Sequence, residues 1–210
     1  MIKIIYSILL VLAIWAFVSW FFVRNIESQS YTVIEEKNGY EVRKYDKHIV
    51  ASAKVRGNQN EVTNEGFRIV ADYIFGNNTS NESIAMTTPV IDEKNEEIAM
   101  TTPVIDEIND EGEHVISFVM PSKYTLENLP KPNSEKVIIT EVPEKIYAVL
   151  KFSWYPYEIR VNKKKEILKK YLKRDGMFFN DDKDPILSRF NPPFTMPLLL
   201  RNEVLIEVSK

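Results

Sequence analysis

The chain has 210 residues, a formal net charge of −3 and no cysteine. Apart from an apolar N-terminal stretch, this length fits one ordinary domain with a core of its own. The lack of cysteine excludes disulfides, thiolate nucleophiles and cysteine-based zinc or iron–sulfur centres. A slightly acidic chain has no general attraction to nucleic acid, so we expect no nucleic-acid partner.

The N-terminal stretch is an uncharged apolar run over residues 4–23, with Lys3 before it and Arg24 after it. A helix of this length spans roughly 30 Å, the thickness of the hydrocarbon core of a bilayer. The run is longer than the apolar part of a signal peptide, and no small-residue cleavage pattern follows it. We therefore predict a retained single-pass membrane anchor over residues 1–24, with the rest of the chain outside the cytoplasm.

Strand and helix patterns alternate through the remaining chain. The helical periodicity predicts helices over 60–75 and 157–174, each ending near a glycine. Strands are predicted over residues 31–36, 40–45, 49–55, 114–120, 137–142, 146–154 and 202–208. The order predicts an α+β domain over 31–208, joined to the anchor by a linker over 25–30. Two similar halves would close one antiparallel sheet or partial barrel, with two helices against it.

A tandem repeat interrupts this pattern. Residues 82–95 are followed at once by 96–109, and twelve of fourteen positions are identical. Two copies are too few for a solenoid, which needs at least three. We expect one copy to form a core strand and the other to form an edge strand or a loop.

The sequence carries none of the common hydrolase, metalloprotease, P-loop or dinucleotide motifs. No acid–base pair can be assigned, so we predict a binding protein with no catalytic residue. Met86 and Met100 occupy equivalent places in the repeat, where a thioether can ligate iron or fill an apolar gap. The two histidines are His48 and His114, and His114 fits either the surface or a pocket.

The second predicted helix is strongly basic. Residues 160–174 hold eight lysines and arginines against one glutamate. Three interpretations stay open: a solvated helix face, contact with anionic lipid beneath an anchored domain, and pairing with carboxylates of a bound ligand.

Four segments, taken together and in this order, resemble the SOUL haem-binding family. They are 40–45 with Ala51, 98–104, 118–125 with 129–132, and 190–194 leading into 201–204. The resemblance spans residues 31–208. It implies a distorted antiparallel barrel with two helices, related to the ligand-binding modules of bacterial drug-sensing regulators. It also implies reversible binding of haem or another tetrapyrrole in a largely apolar cleft.

One position departs from the family pattern. Lys44 stands where some members carry a histidine proposed to ligate iron. A protonated lysine is a poor metal ligand, and His48 is near this position without matching it. Other members are thought to hold haem by apolar contacts, with basic residues near the propionates, which makes Arg43 and Lys44 candidates.

The complete set of cleft candidates is Arg43, Lys44, His48, Met86, Met100 and His114, and the identity of any metal ligand stays open. Two other functions remain as alternatives: a binding module for another apolar ligand or lipid, and a structural domain that is tethered to the membrane for interaction.

Overall fold

We describe the protein from a computed structural model, which describes residues 2–24, 26–57, 59–80 and 95–209. Its α-helices are α1 (Ile2–Val23), α2 (Gln59–Ile74) and α3 (Glu158–Arg174), with a 3₁₀ turn at Pro197–Leu199. The strands before α3 are β1 (Glu27–Ser28), β2 (Tyr31–Lys37), β3 (Tyr40–Tyr45), β4 (His48–Val55), β5 (Asn78–Thr79), β6 (Thr101–Thr102), β7 (Val104–Ile108), β8 (His114–Val119), β9 (Lys131–Pro132), β10 (Ile138–Val142) and β11 (Lys145–Phe152). The strands after α3 are β12 (Phe178–Phe179), β13 (Ile186–Arg189) and β14 (Asn202–Ser209).

One antiparallel sheet organises the molecule, in the order β10-β4-β8-β7-β13-β14-β11-β3-β2, with β12 paired to β14. The sheet curls into a half-barrel. Helix α2 packs on β4 and β8, and helix α3 packs on β11 and β14. Because side chains alternate across a strand, the residues that do not face these helices lie on the other face of the sheet. The predicted α+β class, with two similar halves, is confirmed.

Each half has a separate core between its helix and the sheet. In the first half, Val62, Val70 and Tyr73 of α2 are buried against Ile116 and Phe118. In the second half, α3 buries a stripe of three apolar side chains against β11 and β14. That stripe consists of Val161, Leu168 and Leu172.

The two halves meet at a short seam between β7 and β13. Only three residue pairs join these strands: Val104 with Arg189, Ile105 with Ser188, and Asp106 with Leu187. By comparison, β4 and β8 share six pairs. The sheet is therefore continuous, but its narrowest connection lies between the two cores.

The second repeat copy supplies β6 and β7, and β7 lies inside the sheet between β8 and β13. This copy therefore forms a core strand, as expected. Residues 82–94 of the first copy lie outside the described residues. Strand β13 does not appear among the predicted strands, because its four residues are too few to show an alternation.

Gly66 permits close packing of α2 on the sheet. A Cβ atom at this position would lie 2.4 Å from Cγ1 of Ile116 and 2.7 Å from its Cβ. We expect Gly66→Ala to lower the free energy of unfolding by about 1–3 kcal/mol, because the helix must move away from β8. Chemical denaturation followed by circular dichroism measures the loss. Glu65→Ala, on the exposed side of the same turn, is the control. An equal effect of the two substitutions would contradict the proposed packing.

Candidate ligand-binding cleft

An apolar cleft of about 260 Å³ lies on the sheet face opposite the helices. Strand alternation directs side chains from both halves into this cavity, and we call the cavity the inner cleft. Its apolar lining consists of Val50, Pro103, Ile105, Val115, Ile138, Val142, Ile186 and Leu205. Tyr45 and Tyr147 also line it, and their rings meet edge to face with centroids 5.7 Å apart. Burial raises the pKa of both phenols above the ordinary value, so they stay neutral.

A polar strip crosses the floor of the inner cleft. The hydroxyl groups of Ser52 and Ser117 are 2.7 Å apart and hydrogen-bonded. Ser188 continues the strip, because Ile105 pairs with Ser117 on one side and with Ser188 on the other. These hydroxyl groups offer hydrogen bonds to a ligand within an otherwise apolar surface.

A second and more polar cavity of about 530 Å³ adjoins the inner cleft, and we call it the outer cleft. One wall is formed by residues 27–30, which follow α1 directly. These residues belong to the predicted linker, yet Glu27 and Ser28 pair in parallel with Thr101 and Thr102. Residues 119–122 and 124–127 also line the outer cleft, and the backbone N–H of Ser122 donates to the Glu27 carboxylate at 2.9 Å. The outer cleft therefore opens close to the C-terminal end of α1.

His48 lies between the two cavities and lines both, together with Gln29. The imidazole Nδ1 is 2.8 Å from the carbonyl oxygen of Asp46, to which it donates a proton in the neutral tautomer. Nε2 then keeps its lone pair, and the Gln29 amide nitrogen lies beside the ring, 3.0 Å from Nε2 and 3.1 Å from Nδ1. A backbone carbonyl that fixes Nδ1–H in this way is the usual support of a metal-binding histidine.

Burial lowers the pKa of His48 below its ordinary value, and the bond to Asp46 only partly offsets this. The imidazole is therefore neutral at pH 7 and able to bind a metal ion. In the unfolded chain the same group titrates near pH 6.5.

The lowered pKa of His48 predicts a loss of stability in acid. As the pH falls below about 6.5, the unfolded chain binds a proton at His48 that the folded protein resists, so the free energy of unfolding decreases. Denaturant titrations from about pH 7.5 down to about pH 5.5 should show this decrease in the wild type. The decrease should be smaller in His48→Gln, and identical slopes for the two proteins would contradict the assignment.

Arg43 is fully buried next to Tyr45 and belongs to an internal ion cluster. Its guanidinium group donates to both carboxylate oxygens of Glu203, at 2.9 and 3.3 Å. It also donates to Glu41 at 2.7 Å and to the Tyr45 hydroxyl at 3.0 Å. Burial acts to lower the pKa of Arg43, but the Glu203 carboxylate outweighs it and raises the pKa above its ordinary value. The Tyr31 ring covers the cation, 4.2 Å from its centroid.

Arg43 therefore has its charge neutralised inside the protein and presents no exposed surface to a ligand. The cations that do line the cavities are Lys54 at the inner cleft and Lys47 at the outer cleft. Lys47 also pairs with Glu141 at 3.0 Å. Neither lysine was among the candidates from the sequence.

The structure does not bring all the candidates together. Lys44 lies on the α3 side of β3, on the same face as the core residues Tyr40 and Val42, and pairs with Glu144 at 2.7 Å. His114 lies on the same face of β8 as the α2-facing Ile116 and pairs with Asp106 at 2.8 Å.

Of the two candidate methionines, the one that the structure describes, Met100, adds no ligand to either cleft, whereas Met120 lines the outer cleft without having been a candidate. Met100 is half-exposed and lines neither cleft, although its neighbour Thr101 lines the outer one. Met86 lies outside the described residues. Of the five candidates that the structure describes, only His48 therefore lines the clefts, and Arg43 is buried beside Tyr45 on the same face of the sheet.

The basic helix α3 is on the opposite side of the sheet from the inner cleft. Lys169 and Lys173 pair with Asp181 at 3.2 and 2.6 Å, and Lys165 pairs with Asp184. Part of its charge is thus neutralised by the loop that follows the helix. Its lysines cannot reach carboxylates of a ligand in the inner cleft, because the sheet lies between them.

The fold and cleft together define a small-molecule-binding α+β half-barrel. The sequence model of the family described as "SOUL heme-binding protein" matches residues 26–207. The chain belongs to this SOUL family, which is a haem-binding family and not one known for catalysis. No curated protein matches the chain.

Solved structures share the fold at low sequence identity. The crystal structure of the EcmrR C-terminal domain superposes with a TM-score of 0.57 at 11% identity, covering 86% of this chain and 98% of that one. An EcmrR–DNA complex gives 0.57 at 10% identity, covering 81% and 57%. A hydrolase from Listeria innocua gives 0.51 at 12% identity, covering 84% and 94%. These likenesses establish the fold alone.

Proposed function

We propose that this protein is a membrane-anchored tetrapyrrole-binding protein, in which the inner and outer clefts would hold haem and His48 would bind its iron. The observation that carries the proposal is the position of the His48 imidazole at the junction of the two cavities, with Nδ1 engaged by a backbone carbonyl. When bound, haem would supply an iron centre whose chemistry is that of the cofactor itself. The role of the protein is binding, and we assign no catalytic residue.

The lining of the cavities fits this ligand. The inner cleft offers apolar walls and two tyrosine rings for a flat macrocycle. At about 260 Å³ it is slightly smaller than the ~300–1,000 Å³ of common ligand sites, but the outer cleft extends it past His48. Lys54 and Lys47 provide cations for propionate groups. Gln29 must release His48 Nε2 before iron can bind there.

Titration of the full chain in detergent with haem tests the proposal. We expect a saturable, shifted Soret band with one haem per chain, above the background of the same detergent without protein. Weak changes that do not saturate would refute haem binding. If a solvatochromic apolar dye binds to the same protein while haem causes no Soret shift, the result would favour another apolar ligand.

The proposal includes the predicted division of the chain: an anchor over residues 1–24, a linker over 25–30 and a ligand-binding domain over 31–208. Helix α1 supports the anchor, because Ile2–Phe21 is long and apolar enough to cross a membrane and only 6% of its most apolar window is buried. Arg24 stacks over the Trp20 ring at 5.0 Å, as a cation at a membrane interface would. The ligand-binding domain then lies outside the cytoplasm.

Labelling of a single cysteine tests this orientation, because the chain has no cysteine of its own. Glu135→Cys places a thiol on an exposed loop of the domain. A membrane-impermeant maleimide should label it in intact spheroplasts as fully as in lysed ones. Labelling only after lysis would place the domain in the cytoplasm.

A further inference from the structure

We propose that residues 192–199, here called the proline loop, form a second contact with the lipid bilayer beside α1. This inference rests on the membrane placement of α1 proposed above and goes beyond it. It assigns a lipid-facing surface to the folded domain itself, so that the domain is held against the bilayer by two elements.

The proline loop exposes large apolar side chains. Phe194 is 54% exposed, Leu198 63% and Leu199 47%. Trp154, 48% exposed, adjoins them because its backbone N–H donates to the carbonyl of Pro197 at 2.9 Å. Soluble proteins rarely expose contiguous apolar patches of this kind unless the patch meets a membrane or a partner.

Two hydrogen bonds hold the proline loop against α1. The indole Nε1 of Trp15 donates to the carbonyl of Phe194 at 2.9 Å. The backbone N–H of Met196 donates to the hydroxyl of Ser19 at 3.0 Å. Ser19 is 1% exposed, while most other described residues of the helix are exposed. A polar group in a membrane span needs a partner within the protein, and the loop supplies it.

The position of these bonds along α1 sets the depth of the loop. Trp15 lies six residues before Phe21, the last residue of the apolar span, which is about 9 Å along a helix axis. When α1 crosses the bilayer, Phe194 therefore reaches roughly 9 Å below the end of the span. This depth is within the ~5–10 Å by which the apolar face of an interfacial segment enters the bilayer past the headgroups, where Phe and Leu side chains are favourable. A lipid bilayer is thus the occupant that the geometry selects.

Site-directed spin labelling of the full chain in lipid nanodiscs tests the contact. Three single-cysteine variants are compared: Leu198→Cys on the loop, Val11→Cys in the middle of α1, and Glu135→Cys on an exposed loop next to α2. The accessibility of each nitroxide to oxygen, which concentrates in lipid, is measured against its accessibility to a water-soluble nickel chelate. The two controls bracket the expected range from deep in the bilayer to fully aqueous.

We expect the label at position 198 to be rich in oxygen contact and poor in nickel contact, at a depth between those of positions 11 and 135. An aqueous label at 198 beside a deep label at 11 would overturn the loop contact and leave the anchor standing. Low accessibility to both reagents at 198 would overturn it in favour of a protein partner or a second copy. An aqueous label at 11 would overturn the anchor, and the loop contact with it.

Discussion

Replacing His48 by alanine is expected to lower haem affinity at least about tenfold, equivalent to about 1.4 kcal/mol, and to change the position of the Soret band. The substitution removes the imidazole whose Nδ1 is fixed by Asp46 and whose pKa is lowered by burial. Apolar contacts with the cleft remain, so some weak binding should persist. Haem titration of the full chain in detergent, followed by absorbance, measures both effects.

His114→Asn is the matched control, since it changes the other histidine of the chain. His114 lies on the α2-facing side of β8, outside both clefts. We expect its Soret band and haem affinity to equal those of the wild type. Equal losses in the two variants would point to a change of fold and not to ligation. An unchanged spectrum in His48→Ala would show that iron is held by another group.

Arg43→Ala should lower the free energy of unfolding by about 3 kcal/mol, because it leaves Oε2 of the buried Glu203 carboxylate without its donor, while Arg201 continues to pair with Oε1 at 2.8 Å. Both side chains are completely buried, so water cannot replace the lost partner. Chemical denaturation of the full chain, followed by circular dichroism, gives the value. Lys44→Ala is the adjacent control and should have little effect, since Lys44 pairs with Glu144 at the surface.

A second variant separates the charge from the packing. Arg43→Met combined with Glu203→Gln removes both charges and keeps most of the volume. Such replacement of a whole buried pair is commonly close to neutral, so the double variant should recover much of the stability lost in Arg43→Ala. If Arg43→Ala destabilises no more than Lys44→Ala, the ion cluster has no structural role.

Local patterns were sufficient to predict most of the fold. The helices predicted over 60–75 and 157–174 are Gln59–Ile74 and Glu158–Arg174. Their apolar stripes and terminal glycines are local signals, because each depends only on residues within a few positions of one another. Strand β13 depends instead on neighbours far along the chain, because it is enclosed by β7 and β14. The segment between Pro185 and the prolines that follow Asn191 is too short to show the alternating pattern from which a strand is predicted.

The site was harder to predict, because its polar residues face inward. On β3 the apolar residues Tyr40 and Val42 alternate with Glu41 and Arg43. A binary pattern directs the charged row to solvent. Here that row is covered, since Glu203, 160 residues away, neutralises Arg43. No local signal reveals a partner at that distance, and so Arg43 remained a candidate for propionate binding, as the family resemblance implied.

The seam between β7 and β13 has a consequence for the range of ligands. Each half has its own helix and its own core, and within the sheet three residue pairs join the two halves. The walls of the inner cleft come from both halves, with Ile138 on one and Leu205 on the other. A small twist at the seam would change the spacing of these walls while each core keeps its own packing. We therefore expect the cleft to accept ligands of different thickness by hinge-like adjustment, at little cost in packing.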